Sequence, residues 1–180
     1  MRIVSAALVA ASLVCAPMAF AAGGDSPTPP KPTNTTKTCK GVKVWDDAKK
    51  RCVRPKQSSL DQDQMIQAVR ELAYAGRHQD AQGVLQELNT PDHDMALTYW
   101  GFTHRKLGNQ DLAERYYRQA IARNPDNLLA RSYYGQGLVS AGRIEEAIAQ
   151  WKEIRARGGQ GSWAETTLSA ALESGLTFDY

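Results

Sequence analysis

Residues 96–101 read ALTYWG, and 34 positions later residues 130–135 read ARSYYG. The same offset relates LGNQDLA at residues 107–113 to AGRIEEA at residues 141–147. A more diverged copy reads AGRHQDA at residues 75–81. Small, aromatic and turn-forming residues thus recur together at one spacing, which is typical of stacked structural repeats. We predict that residues 60–161 form three repeats, at residues 62–93, 94–127 and 128–161.

The repeated positions resemble the tetratricopeptide repeat family, in which each unit is a pair of antiparallel helices. The middle copy carries most of the pattern, with Trp100, Gly101, Ala113, Tyr117, Ala120 and Pro125. The third copy keeps Tyr134, Gly135, Ala147 and Trp151, but has Ile154 and Gly159 in place of the small residue and the proline. The first keeps mainly Gly76 and Ala81. The resemblance implies an all-α fold, a short helical solenoid.

Glycine at 101 and 135 allows one helix to approach its partner closely, and Gly108 and Gly142 are placed to end a helix in the turn. Because one repeat cannot bury its apolar face alone, the last one needs a cover. Ser162 and Glu165 form a capping-box pattern ahead of apolar residues at helical spacing. We therefore predict a capping helix within residues 162–180, over 162–174.

The first 21 residues have the layout of a secretory signal peptide. Arg2 precedes an apolar run, and the run is followed by the small-x-small triplet at residues 19–21. The alternative is an anchor helix, but the run is shorter than the roughly 20 residues that a membrane-spanning helix needs. We expect cleavage after Ala21, a periplasmic or secreted protein, and no transmembrane segment after cleavage.

Residues 22–38 are rich in proline and threonine and predict a disordered linker. Cys39 and Cys52 follow, and in an exported chain they are expected to form a disulfide that closes a small hairpin. A metal site would need four ligands, and no histidine lies near this pair. We assign residues 39–59 to a disulfide hairpin and linker, with the disulfide as its main source of order.

Charge divides the chain near Leu60. Residues 23–59 contain nine basic and three acidic residues, whereas residues 60–180 contain twelve basic and sixteen acidic ones. One interpretation is a basic arm that contacts an anionic surface, such as cell-wall polymer or lipid headgroups. The other is a solvated tether. Nucleic acid is not an expected partner.

The hairpin is also similar, in part, to the last third of peritrophin-type chitin-binding modules, with two of that family's six cysteines. That resemblance implies that Trp45 stacks on sugar. The alternative is that Trp45 packs against Val42 and Val53 beneath the disulfide.

No catalytic motif is evident in the sequence. Its three histidines, His78, His93 and His104, have no nucleophile motif beside them, and there is no phosphate loop or zinc-binding helix. His104 falls at a position that usually packs inward. We predict no enzyme activity, no cofactor and no metal.

The resemblance instead implies protein binding, because the first helix of each such repeat lines a concave groove that holds peptides. Carried over by position, the groove residues are Ile66, Arg70, Tyr74, Met95, Thr98, Phe102, Arg105, Lys106, Leu129, Ser132, Gln136, Val139 and Ser140. Such a groove is part aromatic and part basic, which suits a peptide with an apolar anchor and acidic residues. The alternative for Tyr74 and Phe102 is that they contact only neighbouring helices.

The family's carboxylate clamp for chaperone tails is absent, since Thr98 and Phe102 stand where lysine and asparagine would be required. We therefore predict an adaptor with a protein or peptide partner in the cell envelope. Binding of a glycan or an anionic surface by the hairpin is the alternative function.

Overall fold

The structure, a computed structural model, describes residues 30–177. The predicted signal peptide, residues 22–29 of the predicted linker and the last three residues lie outside that part of the chain. Among residues 30–177, no helix is both long and apolar enough to cross a membrane.

The amino-terminal part of the described chain is a small module of residues 30–59. It contains the single-turn helix α1 (Asn34–Lys37), two antiparallel strands β1 (Val44–Asp46) and β2 (Arg51–Val53), and a 3-10 turn at Pro55–Gln57. Trp45 pairs with Cys52 in the ladder. The predicted hairpin and its Cys39–Cys52 disulfide are confirmed.

This module differs from the sequence expectation in its degree of order. Residues 34–37 fall within the predicted disordered linker, yet they form α1, and Thr35 is buried. Strand residues Val44 and Val53 join the main hydrophobic core together with residues of the repeats. The hairpin therefore owes its order to packing on the first repeat as well as to the disulfide.

Seven helices follow, and each is joined to the next by a short connection. They are α2 (Gln62–Tyr74), α3 (His78–Leu85), α4 (Asp94–Lys106), α5 (Gln110–Arg123), α6 (Leu128–Ser140), α7 (Ile144–Ala156) and α8 (Trp163–Ser174). Helices α2 and α3, α4 and α5, and α6 and α7 form antiparallel pairs, and α8 packs on α6 and α7. The predicted all-α solenoid with a carboxyl-terminal capping helix is confirmed.

Two glycines allow close contacts between helices. A Cβ at Gly101 would lie 2.5 Å from the ring of Tyr117 on α5, the partner helix in the same repeat. A Cβ at Gly135 would instead lie 2.5 Å from Leu168 on α8. Gly135 thus makes room for the capping helix, whereas Gly101 makes room within its own repeat.

The start of α8 forms only half of the predicted capping box. The Ser162 hydroxyl accepts a hydrogen bond from the backbone N–H of Glu165 at 3.2 Å. The Glu165 carboxylate accepts from the N–H of Gly161 and from Arg155 Nη1 at 3.0 Å, not from the N–H of Ser162. Glu165 therefore ties α8 to α7 as well as capping its own helix.

Candidate peptide-binding groove

A row of four aromatic rings crosses the face formed by α2, α4, α6 and α8, and each of these helices contributes one ring. The ring centroids are 5.4 Å apart for Tyr74 and Phe102, 4.9 Å for Phe102 and Tyr133, and 5.8 Å for Tyr133 and Trp163. The hydroxyls of Tyr74 and Tyr133 are hydrogen bonded to each other. All three separations are typical of interacting aromatic pairs. We call these four rings the aromatic row.

Three cations accompany two of these rings. The guanidinium carbon of Arg70 lies 5.7 Å from the ring centroid of Tyr74. Arg105 and Lys106 lie 5.8 and 5.7 Å from the ring centroid of Phe102. These distances permit cation–π attraction. Phe102 and Tyr133 are 1% and 0% exposed, so the accessible part of this cationic and aromatic cluster lies mainly at the half-buried Tyr74, Lys106 and Trp163.

The side chain of Arg105, on α4 of the second repeat, extends to α6 of the third repeat. Its side chain passes close to α6, where a Cβ at Gly137 would lie 3.3 Å from its Cδ. Arg105 is 7% exposed, as is Arg70, whereas Lys106 is half-buried. Two of the three cations are therefore removed from bulk water, which strengthens any electrostatic interaction they make.

The structure brings together five of the predicted groove residues: Arg70, Tyr74, Phe102, Arg105 and Lys106. Phe102 contacts rings from two neighbouring helices and is itself 1% exposed. Its interhelical contacts agree with the alternative view of Phe102 and Tyr74. Of these two residues, only Tyr74 is partly exposed.

Thr98 and Met95 lie instead at the joint between the second and third repeats. The Thr98 hydroxyl donates to the carbonyl of Asp94 at 2.7 Å and accepts from Asn127 Nδ2 at 3.0 Å. The Asn127 side chain also caps α6 by accepting from the N–H of Ala130 at 2.8 Å. Met95 is half-buried there, with its sulfur 3.7 Å from Asn127 Nδ2. This position holds one repeat against the next.

The remaining predicted groove residues are divided between the core and the contact with α8. Ile66, Leu129 and Val139 belong to the main hydrophobic core. Ser132 and Gln136 are fully buried, and the Ser132 hydroxyl lies 3.2 Å from that of Thr167 on α8. Ser140 is exposed at the end of α6.

Sequence reasoning did not assign Tyr133 and Trp163 to the groove. Trp163 belongs to the capping helix, outside the repeat alignment, and Tyr133 is not among the repeat positions that were carried over for the groove. The adjacent aromatic residues Tyr133 and Tyr134 were the available signal. One ring faces the row, while the Tyr134 hydroxyl donates to Glu114 at 2.9 Å.

His104 forms a second aromatic cluster, between α4 and α5. Its ring stacks with Trp100 at 5.6 Å and with Tyr116 at 5.5 Å. Burial lowers the pKa of His104, so the neutral imidazole is favoured. Within residues 30–177, no group of three or more His, Cys, Asp or Glu side chains could hold a metal ion.

Comparison with known proteins bears on the second repeat. Neither the curated proteins nor the solved structures gave a significant match to the chain. Residues 95–127, which include α5 and all of α4 after Asp94, match the family model of the tetratricopeptide repeat, and this chain is similar to that family there.

Proposed function

We propose that this protein is an exported, periplasmic adaptor that binds a peptide segment of a partner protein through the aromatic row and its three cations, without chemistry of its own. The tetratricopeptide match at residues 95–127 supports a general role in protein–protein interaction. The observation that carries the peptide proposal is the row itself, because it places four rings and three cations on one face.

The chemistry of that face indicates the class of ligand. The half-buried rings of Tyr74 and Trp163 offer apolar contact area to an aromatic or aliphatic side chain of the peptide, while the buried rings of Phe102 and Tyr133 support them. Arg70 and Arg105 carry planar guanidinium groups, which can bind a carboxylate with two parallel hydrogen bonds. A peptide with an apolar anchor and a neighbouring acidic residue fits both features.

In-cell crosslinking followed by mass spectrometry tests this proposal. The groove variant is Arg105→Glu with Lys106→Glu, which reverses two charges beside Phe102. The matched control is Arg115→Glu with Lys152→Glu, which reverses two exposed cations on α5 and α7. We expect the groove variant to lose at least tenfold of the crosslinked partner and the control to keep it.

Circular dichroism at 222 nm establishes that both variants remain folded. If the folded groove variant captures every partner that the native chain captures, the proposal is wrong and the partner surface lies elsewhere. Mass spectrometry of the protein from a periplasmic fraction tests export separately. A mature chain that begins at Ala22 is the expected result.

The second candidate function is binding of an anionic cell-wall polymer by the hairpin. The observation in its favour is a cleft between the hairpin and α3, along which three cations, Lys40, Lys43 and Arg54, outnumber one carboxylate, that of Glu87. The exposed side chain of Val42 also lines the cleft. Trp45 is half-buried, and its indole N–H donates to Asp47 at 3.1 Å, so its ring has a fixed orientation.

Because the hairpin packs on the first repeat, it has to be tested within the full chain. We compare pelleting with purified cell wall for the native chain and for Lys40→Gln, Lys43→Gln, Arg54→Gln. The control protein carries Arg115→Gln and Lys152→Gln, which remove two exposed cations from the repeats. Loss of pelleting in the hairpin variant alone supports this function, and equal pelleting of all three proteins argues against it.

A further inference from the structure

The module of residues 30–59 carries a dense positive charge on its surface. Its nine cations are all exposed, whereas only one of its two carboxylates is exposed, that of Asp47, since Asp46 is buried. The chain from residue 60 onward has no such excess, because it contains twelve basic and sixteen acidic residues. The positive charge of the protein is therefore concentrated on this module.

Six of the nine cations have no carboxylate partner among residues 30–177. The other three form ion pairs, with Asp46, Asp47 and Glu87. In the repeats, by contrast, at least seven of the twelve cations form such pairs. The unpaired charges of the module stabilise no ion pair of the described fold, so they are available to an anionic partner. They are Lys31, Lys37, Lys40, Lys43, Arg51 and Arg54.

Half of the unpaired cations lie outside the cleft between the hairpin and α3. Lys31, Lys37 and Arg51 do not line that cleft. Lys37 is on α1 and Arg51 is on β2, and α1 is joined to β1 by a hydrogen bond of 3.1 Å from the N–H of Trp45 to the hydroxyl of Thr35. The helix and the hairpin thus form one continuous surface. A polymer in the cleft would leave these three cations without contact, whereas a broad anionic surface would contact them as well.

Trp45 adds an aromatic ring to this surface. It lies between two fully buried residues of β1, Val44 and Asp46, so its half-buried side chain is on the opposite face of the hairpin. Its indole N–H donates to the Oδ1 atom of Asp47, and the same oxygen pairs with Lys50 at 3.6 Å. A cation therefore lies beside the ring. Tryptophan is enriched at the interface between a membrane and water, because its ring is apolar and its N–H is polar.

The type of cation also differs between the module and the repeats. Seven of the nine cations in the module are lysine, whereas ten of the twelve in the repeats are arginine. The planar guanidinium of arginine suits a defined pair, while the ammonium of lysine is a compact charge on a flexible stem. Lysines therefore suit attraction to many anionic groups that have no fixed position. The headgroups of a fluid anionic bilayer are such groups.

We propose that the module of residues 30–59 docks on the surface of an anionic lipid bilayer, with the ring of Trp45 at the level of the headgroups and the unpaired cations around it. This inference goes beyond peptide binding, because it places the adaptor at a membrane surface. It also differs from the binding of a cell-wall polymer, which involves the cleft alone. Each lysine or arginine near an anionic bilayer strengthens binding several-fold, so removal of two has a measurable effect.

Co-sedimentation with lipid vesicles tests this inference. Anionic vesicles of phosphatidylcholine and phosphatidylglycerol are compared with neutral vesicles of phosphatidylcholine alone, and every protein has the amino terminus of the exported chain. The surface variant is Lys37→Gln with Arg51→Gln, which removes two cations outside the cleft. The matched control is Arg115→Gln with Lys152→Gln, which removes one exposed arginine and one exposed lysine from the repeats. We expect the surface variant to bind anionic vesicles at least tenfold more weakly than the native chain, and the control to bind them equally well.

Tryptophan fluorescence gives a second measurement, which reports on the ring of Trp45. The emission of the native chain should shift to shorter wavelength on addition of anionic vesicles, because an indole then moves from water toward the apolar part of the bilayer. Trp45→Phe keeps an aromatic ring and should abolish this shift. The control is Trp100→Phe, which changes a half-buried tryptophan on α4 and should keep the shift. A shift that persists in Trp45→Phe would contradict the contact between Trp45 and the bilayer.

Two results with vesicles would overturn the inference: equal binding of the native chain to anionic and neutral vesicles, or equal binding of the surface variant and the control to anionic ones. A third result points to the polymer instead. If the native chain pellets with purified cell wall but does not bind anionic vesicles, the inference is wrong and the cleft is the binding site. None of these results bears on the in-cell crosslinking, because Arg105 and Lys106 lie outside the module. Failure of lipid binding is therefore distinguishable from failure of peptide binding.

Discussion

The two ends of the solenoid are covered in different ways. At the carboxyl end, α8 buries Ala164, Leu168 and Ala171 completely, and Leu168 fits against Gly135. At the amino end, the module of residues 30–59 is attached through hydrogen bonds to Glu71 and Arg77 and through apolar contacts of its strands, and its disulfide cross-links it internally. We call these two elements the carboxyl-terminal cap and the amino-terminal cap.

Two side chains of the first repeat hold the amino-terminal cap. The Glu71 carboxylate accepts hydrogen bonds from the backbone N–H of Thr33 at 2.6 Å, from its hydroxyl at 2.7 Å, and from the N–H and hydroxyl of Thr36. Arg77 Nη1 donates to the carbonyl of Cys39 at 2.9 Å, and Nη2 to that of Gly41 at 3.1 Å. One carboxylate and one guanidinium thus fix α1 and the start of the hairpin.

Apolar contact reinforces the amino-terminal cap at a few points. Val44 is fully buried, and Val42 lies so close to α3 that a Cβ at Gly83 would be 2.3 Å from it. The comparison shows that an apolar helix and a polar, cross-linked module can both cover the end of a solenoid. The carboxyl-terminal cap depends on apolar packing. The amino-terminal cap depends more on a small number of specific hydrogen bonds.

The largest effect is expected in the carboxyl-terminal cap. Leu168→Ala removes a fully buried side chain and leaves a cavity beside Gly135, so it should lower the free energy of unfolding by about 4 kcal/mol. Urea denaturation followed by circular dichroism measures this. Ser169→Ala, a half-buried neighbour on the same helix, should change it by less than about 1 kcal/mol. A loss below about 1 kcal/mol for Leu168→Ala would show that α8 is not essential to the core.

Replacement of the disulfide should have the next largest effect, and it should be local. Cys39→Ser with Cys52→Ser opens a loop with a sequence separation of 13, which corresponds to about 3 kcal/mol of chain entropy. Hydrogen exchange with mass spectrometry should show faster exchange in residues 33–53 and unchanged exchange in α4 to α8. Faster exchange throughout the chain would contradict a separable amino-terminal cap.

The same contrast explains how much could be predicted from the sequence. Trp163, Leu168 and Leu172 recur at helical spacing behind a capping serine, so α8 was predictable from one short stretch. The repeats were predictable because their residue types recur at a fixed offset. Such signals are local or periodic, and they need no knowledge of which distant residues meet.

The amino-terminal cap was predicted only in part, for a physical reason. The hairpin was visible from Val44 and the cysteines, but the contacts that order α1 join Glu71 to residues 35 and 38 positions earlier. Nothing in the threonines of the expected linker marks them as donors to that carboxylate. The aromatic row was also predicted only in part, because Trp163 lies outside the repeat pattern that suggested the groove.

Glu71→Gln should have a smaller effect than loss of the disulfide. Glutamine keeps the shape of the side chain, but it has no negative charge. It also has only one acceptor oxygen, whereas the Glu71 carboxylate accepts four hydrogen bonds through two oxygens. A hydrogen bond to a charged group contributes about 2 kcal/mol, so we expect a loss of that size. The loss should appear as faster hydrogen exchange of residues 33–37. Glu87→Gln, at a partly exposed ion pair with Lys56, is the control and should leave exchange there unchanged.

The last effect concerns Asp46, and it is present at neutral pH and disappears in acid. Burial raises the pKa of this carboxyl, but hydrogen bonds from the N–H groups of Ser59 and Lys49, the Ser59 hydroxyl and the charge of Lys49 outweigh burial and lower the pKa to about 2. An aspartate in the unfolded chain has a pKa of about 3.9. Because the folded pKa is the lower one, ionised Asp46 stabilises the amino-terminal cap above pH 4, and this stabilisation is lost as the pH falls toward 2.

Asp46→Asn isolates this contribution from the other carboxylates that titrate in acid. Hydrogen exchange of residues 44–59, measured at the pH values 5, 4, 3 and 2 after correction for intrinsic rates, should be slower in the native chain than in the variant at pH 5. The two rates should converge at pH 2, because the protonated carboxyl of Asp46 and the amide that replaces it in the variant are then both uncharged. A difference that stays constant from pH 5 to pH 2 would mean that the shape of the side chain, and not its charge, holds Ser59 against the hairpin.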